Sequence, residues 1–113
     1  MKLERELMRG AGPTAVLKLL SNKEMYGYEL VEALAKQTDG VLAMGQSSLY
    51  PMLYNLEAKE LVEANWRSAD NGRDRKYYAL TSKGKKKLKA DIEAWAKLAE
   101  AMTSIGVLKG AMA

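Results

Sequence analysis

The hydrophobic period changes several times along the 113-residue chain, and the order of those changes predicts a mainly α-helical α+β fold with a small β-hairpin. Two observations carry the prediction. Apolar residues recur at three-and-four spacing up to Leu56, then give way to two short alternating segments around Asn71-Gly72. A long final segment then carries an apolar seam at alternating four- and three-residue steps from Leu88 to Met102.

Taken in order, Leu3, Leu7 and Met8 fit a short amphipathic helix, which the Gly10–Gly12 stretch is expected to interrupt. Pro13 suits the first turn of a second helical run, where a missing N–H costs nothing, and Val16, Leu17, Leu19 and Leu20 form its apolar face. Asn22-Lys23-Glu24 is a polar break and Gly27 opens the next helix. Tyr28, Val31, Leu34 and Ala35 make its stripe, which runs to Thr38, with Asp39-Gly40 as the stop. A brief connection from Val41 to Gly45 leads to a helix near Gln46 with Leu49, Leu53 and Leu56 facing inward and Met52 beside them. Pro51 removes a backbone donor there, which requires a later start or a distorted first turn.

Leu61–Arg67 and Arg75–Leu80 then alternate as strands, joined through Ser68–Asp74, whose Asn71-Gly72 is a strong tight-turn dipeptide. Thr81 caps the long helix, where Leu88, Ile92, Trp95, Ala99 and Met102 form a heptad seam suited to lying along another helix. Gly106 and Gly110 predict frayed last turns. Helix–helix–helix–hairpin is the winged helix-turn-helix order. It divides the chain into a DNA-binding unit at 1–80 and a C-terminal dimerisation helix at 81–113.

Composition narrows the function. The length suits one domain, and with no Phe the core must come from Leu, Met, Ala, Tyr and Trp. Lysine and arginine number 18 against 14 acids, a balance of +4 that suits a polyanion. Cysteine and histidine are both absent, which excludes disulfides and thiolate or imidazole metal sites and removes the commonest catalytic side chains. Glu4 with Glu6, and Glu57 with Glu60, sit in charge-balanced helical settings, and no phosphate loop or nucleophile elbow occurs. An enzyme is therefore not expected, nor a cofactor. No apolar run approaches the roughly 20 residues that span a bilayer, and Met1–Leu7 alternates charge instead of forming a signal sequence, so a cytoplasmic location is expected.

The candidate DNA-reading surface is the polar side of the helix near Gln46: Gln46, Ser47, Ser48, Tyr50, Tyr54 and Asn55. In a helix-turn-helix the second helix lays its N-terminal residues into the major groove, where Ser and Gln hydrogen-bond base edges and free N–H groups meet phosphate. Alone, this face is what any amphipathic helix shows to water. The hairpin that follows changes the weighing, because Arg67, Arg73, Arg75 and Lys76 surround its turn with Asp70 and Asp74 as partial counter-charges. Such a basic tip grips the flanking backbone without reading sequence. Lys83, Lys85, Lys86, Lys87 and Lys89 are a solvated face. Trp95 packs in a dimer interface or, with its twin across the axis, forms aromatic walls for a flat hydrophobic effector, cationic ones included, with Met8 and Met102 lining the same cavity. The leading expectation is a sequence-specific regulator bound to double-stranded DNA. The alternative is a winged-helix protein–protein adaptor with no DNA role.

Met25-Tyr26-Gly27-Tyr28-Glu29-Leu30, Ser48-Leu49-Tyr50-Pro51 with Leu53 and Leu56-Glu57, and Gly72-Arg73 with Arg75-Lys76-Tyr77-Tyr78 and Leu80-Thr81 together resemble the PadR family of transcriptional regulators. The resemblance runs from about Leu3 to beyond Trp95 and favours the smaller branch, with a single C-terminal dimerisation helix. It implies a homodimeric repressor on a palindromic operator. It also implies drug stacking on a tryptophan of the dimerisation helix, a context similar to Glu93-Ala94-Trp95 here. The family's wing tip is often Gly-Gly or Arg-Pro, whereas this chain has Asn71-Gly72-Arg73-Asp74.

Overall fold

In the computed structural model, which describes residues 1–68 and 71–109, the first helix, α1, runs unbroken over Arg5–Asn22. The expected break at Gly10–Gly12 does not occur, and Pro13 lies inside the helix. The reason is tertiary. Gly12 is buried where Met52 crosses α1, and a Cβ there would meet Met52 Cε at 2.6 Å, so its small size serves packing and not a turn. Pro13 costs the hydrogen bond to the Arg9 carbonyl, which water satisfies readily beside an exposed Arg9.

A two-residue strand, β1 (Met25–Tyr26), follows and leads directly into α2 (Gly27–Gln37). Sequence periodicity predicts no strand here. Glu29 closes the start of α2 by accepting from the Tyr26 N–H at 3.2 Å. Gly27, Leu30 and Leu34 are the buried positions of α2, whereas Tyr28, expected in the stripe, is exposed. After α2, Asp39 and Gly40 take positive φ values of 50° and 83° and end the helix where the stop was expected. The Thr38 hydroxyl knits the turn, donating to the Leu34 carbonyl and accepting from the Leu42 N–H.

Helix α3 (Gln46–Ala58) begins at Gln46 despite Pro51. Ser48 and Leu49 both donate to the Gly45 carbonyl, so the first turn closes normally and only the Ser47 carbonyl loses its donor to the proline. The hairpin consists of β2 (Val62–Ser68) and β3 (Asp74–Leu80). With β1 they form an antiparallel sheet in the order β1-β3-β2. Asp70, expected as a counter-charge at the tip, lies outside the described residues. At the turn, Asn71 Oδ1 accepts from the Arg73 N–H and Gly72 has φ 80°.

Thr81 caps α4 (Ser82–Ser104) as expected, its hydroxyl accepting from Gly84 N–H at 2.9 Å and donating to the Glu60 carbonyl at 2.7 Å. The helix does not fray at Gly106. With φ 87°, Gly106 turns the chain so that its N–H meets the Thr103 carbonyl and the Val107 N–H meets Met102, which satisfies the last carbonyls. Gly110 lies outside the described residues.

One core joins all of this: Val16, Leu17 and Leu20 of α1, Leu30 and Leu34 of α2, Leu49, Leu53 and Leu56 of α3, Val62 and Tyr78 of the sheet, and Leu88 of α4. Leu88 was expected on a surface seam, but it is only 6% exposed and belongs to the chain's own core. Gly84 makes this possible by letting α4 approach the Leu61 carbonyl. Beyond Asp91, which accepts from Thr14 of α1, the helix leaves the body. Every residue from Ile92 to Ala101 is exposed, and the molecule measures 53 Å along its longest axis against 30 and 24 Å. Among the described residues no helix is long and apolar enough to cross a membrane.

Candidate nucleic-acid interface

The helical period of α3 splits its predicted residues into separate strips. Gln46 and Ser47 stand exposed on the first turn, and exposed Tyr54 lies two turns further along on the strip of Ser47. Ser48 and Asn55, seven residues apart, share another strip with Met52 and Lys59 and line a groove between α3, α1 and α4. Tyr50 faces outward only in part, lining a cleft beside the wing. It is half-buried against the core, and its hydroxyl end rests where a Cβ on Gly27 would be. Tyr50 is thus a packing residue at the α2–α3 junction, and Gly27 is the residue that lets it fit.

The hairpin's cations also differ from one another. Arg73 is exposed at the turn and makes no ion pair among the described residues. Arg75 is half-buried with its guanidinium 4.4 Å from the Tyr26 ring centre, and Arg67 lies 4.9 Å from the Tyr77 ring centre while pairing with Glu24. Tyr26 and Tyr77 meet edge-to-face at 5.3 Å, so one face of the sheet alternates arginine and tyrosine. Cation–π contacts of this kind hold guanidinium groups in place while their outer N–H groups still reach solvent.

Lys76 points to the opposite face and reaches α3. Its Nζ lies 3.7 Å from Glu57 Oε1 and 5.5 and 5.4 Å from the Tyr54 and Tyr78 ring centres. Burial works against its charge, yet Tyr78, Glu57 and Tyr54 outweigh it and raise its pKa above the ordinary lysine value. The buried Tyr78 phenol is pushed up by its burial, with Lys76 opposing, and its hydroxyl finds no partner in hydrogen-bond geometry among the described residues. Lys76 is therefore a strut between wing and helix, with its charge already matched.

The groove beside Ser48 and Asn55 holds about 880 Å³ and reaches Trp95 on its far wall. Asp91 ties α4 to α1 there, accepting from Thr14 Oγ1 at 3.0 Å and from Lys87 Nζ at 2.8 Å. Arg5, Arg9, Lys59 and Lys87 also line it, so cations outnumber its one acid, Asp91. Met8 does not share this groove. It lines a neighbouring one with Met44 and Met52, while Met102 lies two turns beyond Trp95 on α4. Trp66, Glu57, Asp91 and Leu98 were not among the predicted site residues. Trp66 and Glu57 needed strand register and the wing–helix contact, Asp91 needed the α1–α4 packing, and Leu98 falls off the heptad steps.

A profile of the Transcriptional regulator PadR-like family matches residues 16–90. An uncharacterized protein of Lysinibacillus sphaericus is 33% identical over 95 residues, which cover 84% of this chain and 87% of the relative. A transcriptional regulator from Streptococcus superposes with a TM-score of 0.79 at 30% identity, covering 90% of this chain and 98% of that chain. A PadR-like transcriptional regulator from Bacillus cereus gives a TM-score of 0.80 at 27% identity, covering 94% of this chain and 99% of that chain. A polar helix standing beside a basic hairpin is the apparatus of a winged-helix DNA-binding protein. The chain belongs to the PadR-like family, and it is a transcription regulator, not an enzyme.

Proposed function

We propose that the protein is a homodimeric repressor that binds a palindromic operator in double-stranded DNA and releases it when a flat aromatic compound binds beside Trp95. The observation that carries this reading is the joint placement of Tyr50 and Tyr54 of α3 beside Arg75 and Lys76 of the wing, together with an outer half of α4 that the described residues leave uncovered. Gln46 and Ser47 meet base edges, and Ser48, Tyr54 and Asn55 stand at the margin of that contact. Arg73 and Arg75 hold the flanking phosphates, and Lys76 sets the angle of the wing.

Affinity for duplex DNA is expected to fall steeply with salt. Replacing both Arg73 and Arg75 by alanine weakens binding to every sequence and flattens the salt slope by roughly one unit per lost phosphate contact. Lys76→Ala weakens binding while the slope stays near that of the parent, because its charge is matched internally by Glu57. Ser47→Ala changes preference among operators. Fluorescence anisotropy over a salt series checks all of these, and an unchanged slope in the double arginine variant removes the wing from the interface. The protein–protein adaptor reading predicts no salt-dependent duplex binding at all, so the same titration separates the two.

The effector reading is supported by the groove that Trp95 shares with Ser48 and Asn55 of α3. A planar compound stacked on the indole touches the DNA-reading helix itself, and it acts as an inducer only if it prefers the dimer geometry that mismatches the operator. Met8, in the adjacent groove, and Met102, further along α4, complete the walls only when a second chain is added. Because Arg5, Arg9, Lys59 and Lys87 face a single acid in this lining, neutral and anionic flat compounds fit better than cationic ones. A panel of planar dyes is expected to quench tryptophan emission and release operator, and both effects should vanish in Trp95→Ala. Quenching that survives in Trp95→Ala would leave Trp95 as a packing residue.

A further inference from the structure

Trp66 is 68% exposed, the most exposed aromatic side chain among the described residues. Its position follows from strand register. Val62, Ala64 and Trp66 alternate on one face of the hairpin, opposite Leu80, Tyr78 and Lys76. Near α4 that face closes the core through Val62 and Tyr78, both fully buried. Toward the tip it runs out past the core, and there Lys76 reaches across to Glu57 and Tyr54 of α3. Trp66 therefore stands on the side of the wing turned toward α3. It lines a groove of about 350 Å³ with Tyr50, Tyr54, Arg75 and Lys76.

An indole left in water at this place exposes a large apolar surface that nothing among the described residues covers. The surroundings say what covers it. Arg75 and Lys76 line the groove against one acid, Asp74, tyrosines rim it, and the exposed Arg73 lies at the same tip. An occupant that presents apolar rings and anions in alternation matches this lining, and the sugar–phosphate edge of a nucleic acid is such a surface. The bases of a duplex are stacked on one another and offer no free face, so the indole meets sugar.

We propose that Trp66 is a DNA-contacting residue of the wing, its indole packed on the deoxyribose edge of the backbone beside the groove that α3 enters. This rests on the DNA-binding reading above. The contact is uncharged, so it adds affinity without releasing counterions, and it is blind to base identity. It differs in both respects from Arg73 and from Ser47.

The test uses the full chain and a dye-labelled, random-sequence DNA duplex. Dye anisotropy reports binding and tryptophan emission reports the contact. Emission is expected to change with the same midpoint as anisotropy. In Trp66→Ala the emission change is lost, affinity falls roughly tenfold, the equivalent of about 1.4 kcal/mol, and the slope of log affinity against log salt is retained. Trp66→Phe recovers most of the affinity. A duplex that binds Trp66→Ala as tightly as the parent, with the same emission change, overturns the inference and leaves the DNA-binding reading intact. Absence of any anisotropy rise with the parent protein overturns both.

Discussion

Replacing Gly84 by alanine is expected to destabilise the fold by about 2 kcal/mol, whereas the same replacement at Gly10 stabilises it by about 0.5–1 kcal/mol. Both glycines lie inside helices, so helix propensity alone gives the two substitutions the same sign, a gain of up to about 1 kcal/mol. Surroundings decide otherwise. Around Gly10 nothing lies within 4 Å of an added Cβ, so the propensity gain is kept. At Gly84 the added carbon collides with the Leu61 carbonyl oxygen and comes within 2.8 Å of Leu80 Cδ1. That carbonyl is backbone and is already committed, accepting from the Thr81 N–H at 3.1 Å. Thr81 in turn caps α4 through the Gly84 N–H. Relief of the clash therefore pulls apart the cap or shifts the whole helix away from β2, and overpacking of this kind costs about 3 kcal/mol, which exceeds the propensity gain. Urea unfolding at matched protein concentration measures both variants, the matching being needed because the proposed dimerisation would add to apparent stability. Equal stability of Gly84→Ala and the parent would mean that α4 does not approach β2 this closely.

The pair also shows where sequence alone suffices and where it stops. Apolar spacing located α3 at its first residue, and the Asn71-Gly72 turn and the Thr81 cap are local chemistry, legible because the atoms that satisfy them are a few positions away. The β1 strand is different. Two residues carry no period, and Met25–Tyr26 is a strand only because β3 presents a free edge to it. The unbroken α1 has the same origin: Gly10, Gly12 and Pro13 look like a break, yet Met52 packing on Gly12 makes a continuous helix the better solution. In α2 the predicted stripe holds at Leu34 and at Val31, which packs on the core, but Tyr28 is exposed and the buried Leu30 lies outside it.

At the candidate interface, residue type was legible and direction was not. Arg73, Arg75 and Lys76 are alike as letters, but strand alternation sends Arg75 onto Tyr26 and Lys76 onto Glu57, leaving Arg73 to the solvent. Tyr50 belongs to the polar side of α3 by count and to the core by contact, because Gly27 opens a slot for its ring. Trp66 passed unnoticed as one more strand residue. Its meaning lies in the register that sets it across from Lys76, on the α3 side of the wing.

Replacing Ile92 by aspartate is expected to turn a dimer into a monomer and with it abolish tight operator binding. The motive is the uncovered half of α4. A helix of 23 residues is about 34 Å long, and only its beginning is held by Gly84 and Leu88 in the chain's own core. Beyond them Ile92, Trp95 and Leu98 are each between 41% and 48% exposed, and Ile105, Val107 and Leu108 extend the apolar surface past the helix end. A contiguous stretch of this kind is what a two-fold interface buries. An aspartate placed within it loses its water without gaining a partner, and the axis brings two copies of the charge together, which costs about 3 kcal/mol or more. At that magnitude the dissociation constant of the dimer rises roughly a hundredfold. The monomer keeps its winged-helix body, because Leu88, Gly84 and the Thr81 cap lie on the near side of the substitution. Circular dichroism should therefore show only the modest helix loss of a frayed outer α4. DNA binding falls because one chain reaches one half-site, whereas a dimer spans two that are about one helical turn, or a multiple of it, apart. Sedimentation across a concentration series, followed by operator titration, reads both effects, and Leu98→Asp provides the independent second variant. If both variants sediment as dimers at the parent's concentrations, the partner chain sits on another face and the uncovered half of α4 must serve something else.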